Sequence, residues 1–528
     1  MCASIAKAAL SPKYDIAIVG SGFAGSLMAM IVRRLGHSVI LLERSRHPRF
    51  MIGESSTPLS NLLLEDLATR YDLPAVRLLA KWGSWQRNHP EIACGLKRGF
   101  TFYHHKLGQQ DAPDPGRKNQ LLVAASPHDR ISDTHWFRAD FDAYLVQQAQ
   151  CLGVEYIDEV KLDHVTESAD GVILVGTQDR QPVSIRAGFV IDATGPRGFL
   201  HRALHLAEEE FPNYPATQAL YSHFSGVRRL DEIEPPQEFP PYPVDDAAVH
   251  HVFDGGWIWV LRFNNGITSA GVAATDTLAA ELHFSDGADA WERLLGLLPT
   301  LGEQFAGVRT KRPFTHVPRL SFLSGVICGD RWALLPSAAG FIDPLLSTGF
   351  PLTLLGVSRL ANILENDWHS PNFDAGLQEY AKQTRNELHA TSRLIAGLYA
   401  NMNNFPVFSA LSLLYFAAAS FSETARRLKK PHLAPSFLLH DHPVFGPACR
   451  KLLERSHYLK TEQDAASLIA DVRHFIEPLD VAGLCRTDRR NWYPVDAKDL
   501  FASAAKLGVG REEMALMLES CGFYARVQ

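Results

Sequence analysis

The sequence predicts an α/β fold with an inserted antiparallel sheet and a helical C-terminal region, on three observations. A short apolar run at Tyr14 to Val19 meets a glycine turn at once, with a helical stretch and a second apolar run behind it. Alternating patterns such as "GGWIWVLRF" and "GITSAGVAA" fill about 215 to 320. Beyond about 355 the chain turns helical, with proline-bearing joints near 405, 431 and 447.

The first run, "YDIAIV", reads as a buried strand and is followed by Gly20-Ser21-Gly22-Phe23-Ala24-Gly25. An alanine- and methionine-rich helix then runs to about Leu35, and "SVILL" (Ser38 to Leu42) reads as a second buried strand ending at Glu43. Strand, glycine turn, helix and strand with an acid about twenty residues on make a Rossmann-type dinucleotide unit. Gly20, Gly22, Phe23, Ala24 and Gly25 are its cofactor-binding residues, because the bare turn admits a pyrophosphate to the helix N-terminus. Glu43 accepts from ribose hydroxyls.

Two later segments return to the same sheet. "AGFVIDATG" (Ala187 to Gly195) is a buried strand that stops at a turn, and "VICGDRWALLP" is a strand pair around Gly329-Asp330. A nucleotide-binding start with a later Gly-Asp element points to FAD in a discontinuous domain. Asp330 is expected at the ribityl or phosphate region, and Gly329 at the close turn. Arg49, in "HPRF", and Ser55, Ser56 and Thr57, in "GESSTP", close over the cofactor or form an ordinary proline-bounded loop. Arg138, in "FRADFD", pairs with phosphate or with Asp140 or Asp142. The expected division is an FAD-binding monooxygenase-like domain at 12–365, with the substrate-side sheet inserted at about 90–135 and 215–320. A helical region at 366–528 covers the substrate pocket.

A formal net charge of -6 carries no basic excess, which argues against a nucleic-acid partner. The seven cysteines are odd in number and far apart, with no C-x-x-C pair, so neither a disulfide framework nor a metal site is expected. The nearest approach to a membrane span, Phe405 to Phe421, is broken by proline and serines and reads as a buried helix. With an N-terminal apolar run too short for a signal peptide, a cytoplasmic location is expected. There is one glycine fingerprint in its strand-turn-helix frame, so reduced flavin is expected from a separate NAD(P)H-flavin reductase.

"ACGLKRGFTF" (Ala93 to Phe102) reads as one strand that carries a lysine. Alternation sets Leu96, Arg98, Phe100 and Phe102 on one face and Gly95, Lys97, Gly99 and Thr101 on the other. Lys97 then stands in a gap between glycines. It is either a solvated edge residue or a cation held for a purpose.

Together, "GSGFAG", "HPRFMIGESSTP", "GLKRGFTF", "GWIWVLRF" and "GDRWALLPSAAGFIDPLLSTG" resemble the flavin-dependent halogenases over most of the first 360 residues, and most nearly the branch acting on free phenols. The resemblance implies a two-component enzyme in which FADH2, O2 and chloride or bromide give hypohalous acid. A tunnel leads this acid to a lysine, which delivers halogen to a small aromatic substrate, free or tethered to an acyl-carrier protein. Position by position, Lys97 falls on that catalytic lysine. Ser347, Thr348 and Gly349 fall on the halide-binding segment, with Pro344 and Gly349 also at the cofactor, and Trp257 and Trp259 on the tunnel motif. The chain departs from the family at Arg262, where a proline is usual. A monooxygenase or epoxidase without halide use, and an alkene reductase of the same fold, are the alternative readings.

Overall fold

The computed structural model describes residues 13–168, 170–233 and 238–524. β1 (Lys13–Val19) buries its last four residues, Ile16 to Val19, which is why the run is apolar without alternation. It lies parallel to β2 (Val39–Leu42) on one side and to the strand Gln181–Asp192 on the other. Trp332–Leu334 extends the sheet in the same direction. The register pairs Val19 with Leu42 and with Asp192, and Asp192 with Leu334, so four carboxyl ends open on one edge. An open parallel sheet binds its ligand at that edge. Helix α1 (Phe23–Arg34) packs on the face of these strands with the long helix Gly349–Asn366 beside it.

The second sheet runs in the order Arg309–Thr310, Thr217–Ser225, Ile267–Thr275, Gly256–Arg262, Ala248–Phe253. It continues through β4 (Gly99–His104) and β5 (Gln120–Ala124) to Trp492–Tyr493. It is mixed rather than antiparallel throughout. Ala248–Phe253 is parallel to β4, and Trp492–Tyr493 is parallel to β5. The last of these strands comes from the region expected to be helical. It is held by a hydrogen bond from the Leu122 N–H to Asn491 O at 2.9 Å and by the Arg117 guanidinium over the Trp492 ring. The one helix among the described residues long and apolar enough to cross a membrane, Phe405–Arg427, is mostly buried, against α2 (Pro58–Arg70) and the helices Phe373–Tyr399 and Glu462–Ile476.

The strand expected over Ala93 to Phe102 is two strands. β3 (Cys94–Lys97) pairs with β6 (Asp133–Trp136), whereas β4 joins the large sheet. The break is Arg98, whose N–H donates to Asp246 O at 2.6 Å and whose carbonyl accepts from Ala125 at 2.7 Å. Alternation restarts there, so Lys97 shares a side with Phe100, its Nζ standing 3.8 Å from the ring centroid. The glycines do not open a gap. A Cβ at Gly95 would lie 2.0 Å from Arg262 O, and one at Gly99 2.3 Å from Val123 O. They admit neighbouring backbone.

Candidate active site

The glycine turn opens where the four carboxyl ends meet. Gly20 has φ +97°, and a Cβ on Gly25 would strike Gly20 O at 1.9 Å, so Gly25 serves the close approach of helix to strand. No side chain caps α1, which leaves its first N–H groups for an anion. Glu43, at the end of β2, accepts from the Ser21 N–H and Oγ at 3.0 Å each and from Arg49 at 3.3 Å. Burial pushes its carboxyl up, but the Arg49 guanidinium and the Ser21 donors outweigh that and hold it below the usual range.

Gly20, Glu43 and Arg49 line a cavity of about 860 Å³ together with Pro344, Ser347, Thr348 and Gly349, and with Trp257 and Trp259 of the large sheet. Arg49 enters it with buried Nε and Nη1 atoms that have no partner among the described residues. Arg138 also lines it, clamped by Asp142 through two bonds of 2.8 Å. Bare glycines, free N–H groups and a guanidinium with two unpartnered nitrogens fit a dinucleotide diphosphate, and a buried acid on the second strand fits its ribose.

Five of the expected cofactor residues do not line the cavity: Gly25, which serves helix packing, and four others. Gly329 and Asp330 form the turn of an antiparallel hairpin that enters Trp332–Leu334, so they sit at the amino end of that strand, away from the cavity. Pro336 and Ser337 follow its carboxyl end and line the cavity instead. Gly329 is bare because a Cβ would meet the Trp332 indole at 2.5 Å. Ser56 is zipped to β6, its N–H and Oγ both donating to Thr134 O, which turns it inward. Thr57 caps α2 by accepting from the Ser60 N–H at 3.2 Å.

A family model for FAD dependent oxidoreductase matches residues 15–339. The chain belongs to this family. FAD is therefore the cofactor of this oxidoreductase, and the cavity's donors fit it. It is 28% identical over 488 residues to monodechloroaminopyrrolnitrin halogenase PrnC of Pseudomonas fluorescens, covering 89% of this chain and 83% of that one. It is 28% identical over 416 residues to tetracycline 7-halogenase of Kitasatospora aureofaciens, covering 77% and 73%. The solved structure of halogenase PltM in complex with phloroglucinol and FAD shares its fold, with TM-score 0.77 at 24% identity over 90% of this chain and 99% of that one. The oxidoreductase is thus a homologue of flavin-dependent halogenases.

In this oxidoreductase Lys97 is fully buried. Its Nζ reaches across β6 and donates to Ser55 Oγ at 2.8 Å and to Ser56 O at 2.5 Å. Ser55 lines the large cavity, while Phe100 and Asp133, on the lysine's other side, line a second cavity of about 140 Å³ with Tyr415 and Phe416. Burial pushes the amine down against the pull of Asp133, and burial pushes the Asp133 carboxyl up. Both move toward neutrality. Asp133 Oδ1 accepts from Asn61 Nδ2 at 3.0 Å, and its buried Oδ2 has no partner among the described residues. His250, on the wall of the large cavity, is pushed down to about 3 by burial and by the Lys97 charge.

The sequence reading missed Asp343. It is a buried residue of the cavity wall, accepting from Trp257 Nε1 at 3.2 Å, the Leu345 N–H at 2.9 Å, Tyr399 OH at 2.8 Å and Tyr214 OH at 3.2 Å. Burial raises its carboxyl to about 6. It anchors a kink in which Leu346 and Ser347 both take left-handed conformations, φ 63° and 55°, which non-glycine residues hold only when their surroundings enforce it. An acid inside the small, apolar run "GFIDPLLSTG" was the available signal, since such an acid must find donors. Arg262 does not obstruct the cavity. Its guanidinium turns to Asp245 at 2.8 Å and Val227 O at 2.9 Å.

Proposed function

We infer that the chain halogenates a small, electron-rich aromatic ring, most simply a phenol, with Lys97 as the group that receives and aims the halogen. One observation carries this reading. Lys97 contacts a residue on the wall of each of two cavities: Ser55 of the FAD cavity, and Phe100 of a ring-sized cavity that Asp133, its opposite number on β6, also lines.

Bound and reduced, FAD supplies the electrons with which O2 turns chloride or bromide into hypohalous acid. The protein's residues do the rest. Gly20, Gly22, Phe23, Ala24, Glu43, Arg49 and Arg138 hold the dinucleotide, and Pro344 sits against it. The helix Gly349–Asn366 has no side-chain cap at its start, and its free N–H groups with Ser347 and Thr348 suit a halide. Trp257 and Trp259 line the way toward Lys97, keeping it dry. An amine pushed toward neutrality offers its lone pair to electrophilic halogen or donates a hydrogen bond to the acid. In the second cavity the ring lies among Phe100, Tyr415 and Phe416. Its hydroxyl donates to Asp133 Oδ2, which raises electron density at the ortho and para carbons. On this reading residues 12–365 form the FAD-binding body and 366–528 wall the substrate side. A separate reductase supplies FADH2.

The test is mass spectrometry of products after incubation with FAD, a flavin reductase, NADH, O2, bromide or chloride, and resorcinol or phloroglucinol. A halogen isotope pattern is expected. Oxygenated products that form regardless of halide would make this a monooxygenase.

A further inference from the structure

Lys97 has three ammonium protons and three receivers: Ser55 Oγ, Ser56 O and the π-face of Phe100. Two of these are fixed. Ser56 O belongs to a backbone stretch zipped to β6 through Ser56 N to Thr134 O at 3.2 Å and Trp136 N to Glu54 O at 2.6 Å. The Phe100 ring is buried and packed edge-on against Phe416 at 5.2 Å. The Ser55 backbone is also fixed, by a bridge to His135, but its hydroxyl is a rotor. It is the lysine's one movable contact, and it is the contact that lines the FAD cavity. The hydroxyl's own proton goes to no protein acceptor among the described residues, so it is available on the cavity side.

We propose that Ser55 is the hand-off residue between the two cavities. Its hydroxyl donates to the oxygen of hypohalous acid arriving from the FAD side while its own oxygen accepts from Lys97. Turning the hydroxyl away from Lys97 then presents to the acid an N–H of the ammonium, or the lone pair once that proton has left. Ser55 transfers no atom and touches both reactants. It therefore governs how much oxidant is captured rather than how much is made. The sequence alone suggested a contact with the cofactor; the bond to Lys97 gives Ser55 this second task. The inference rests on the halogenase reading above.

The experiment compares wild type, Ser55→Ala and Ser55→Thr, each with FAD, a flavin reductase, NADH, O2 and bromide, on phloroglucinol. It reads brominated product against hypobromous acid escaping to a soluble scavenger, normalised to FAD bound as measured by flavin fluorescence. The ratio of product to escaped acid is expected to fall about tenfold in Ser55→Ala, the weight of one lost hydrogen bond. Ser55→Thr, which keeps the hydroxyl, is expected to recover most of it. A Ser55→Ala ratio within about twofold of wild type, less than one hydrogen bond is worth, overturns the proposal. So does a loss of FAD affinity that accounts for the whole effect, which would make Ser55 a cofactor contact. Failure of wild type to give brominated product or trapped acid overturns the halogenase reading and this inference with it.

Discussion

Lys97 and Asp133 stand directly opposite each other on β3 and β6, yet the lysine's hydrogen bonds go past the acid to Ser55 and Ser56. Opposed residues of an antiparallel pair carry their side chains on one face, about 5 Å apart at Cβ. The two charges therefore feel each other without being locked together. The amine is bonded toward the FAD side through Ser55, and the buried Asp133 Oδ2 has no partner among the described residues.

Lys97→Met keeps the length and apolar stem of the side chain and removes the nitrogen. Halogenated product is expected to fall by about two orders of magnitude or more, the scale of a lost catalytic group. FAD binding, measured by fluorescence quenching, is expected to persist. Product at more than half the wild-type yield would remove Lys97 from the mechanism.

Asp133→Asn tests the pairing through pH. On the proposed role of Lys97, product formation is expected to rise as its amine loses the proton, with burial setting that limb well below the ordinary lysine value of 10.5. The Asp133 charge opposes this shift by favouring the ammonium. Its removal is expected to move the limb of kcat/KM to lower pH, and to lower the plateau because the substrate hydroxyl loses its acceptor. A limb that stays in place, or moves up, contradicts the arrangement.

Asp343→Asn is a stability test. The wild-type carboxyl has a native value near 6 against 3.8 for the free group, so the native state holds the proton more firmly. The stability this contributes is fully present below pH 3.8 and is lost as pH rises through about 6. The difference amounts to about 3 kcal/mol. Between pH 4 and 6 the asparagine variant is expected to show a smaller fall in melting temperature than wild type, with scans run in parallel. Identical slopes would show that Asp343 is ionised throughout.

Gly95→Ala separates two meanings of a glycine beside Lys97. If the glycine provided empty space, alanine would be tolerated. A Cβ there meets Arg262 O at 2.0 Å and the His135 ring at 2.9 Å, so a loss of about 1 to 3 kcal/mol is expected in denaturant unfolding. An unchanged midpoint would return the position to a gap.

The dinucleotide unit was legible because each of its parts has a local cause. An apolar run, bare turn residues and a buried acid on the next strand are all adjacent in sequence. Asp330 misled because a Gly-Asp pair looks alike at either end of a strand, and only the hairpin's direction tells which end it occupies. The strand through Lys97 misled for a related reason. Alternation is a rule within a strand, and the break at Arg98 is made by Asp246 and Ala125, which lie outside the local run. Asp343 and Asp133 gain their roles from partners on other elements, Tyr214 and Tyr399 for one and Lys97 for the other. No spacing along the chain announces them.

The short strand Trp492–Tyr493 covers the outer edge of β5, a row of N–H and C=O groups that would otherwise lie open to any passing chain. Neighbouring parts of the same C-terminal stretch, Leu484, Leu500 and Phe523 among them, wall the small cavity. One segment thus guards the sheet against aggregation and, with the ring placed as proposed above, shapes what the small cavity admits. A swap of this segment to recruit a new aromatic ring would strip the edge at the same stroke, so changes in substrate range are tied to the solubility of the protein that carries them.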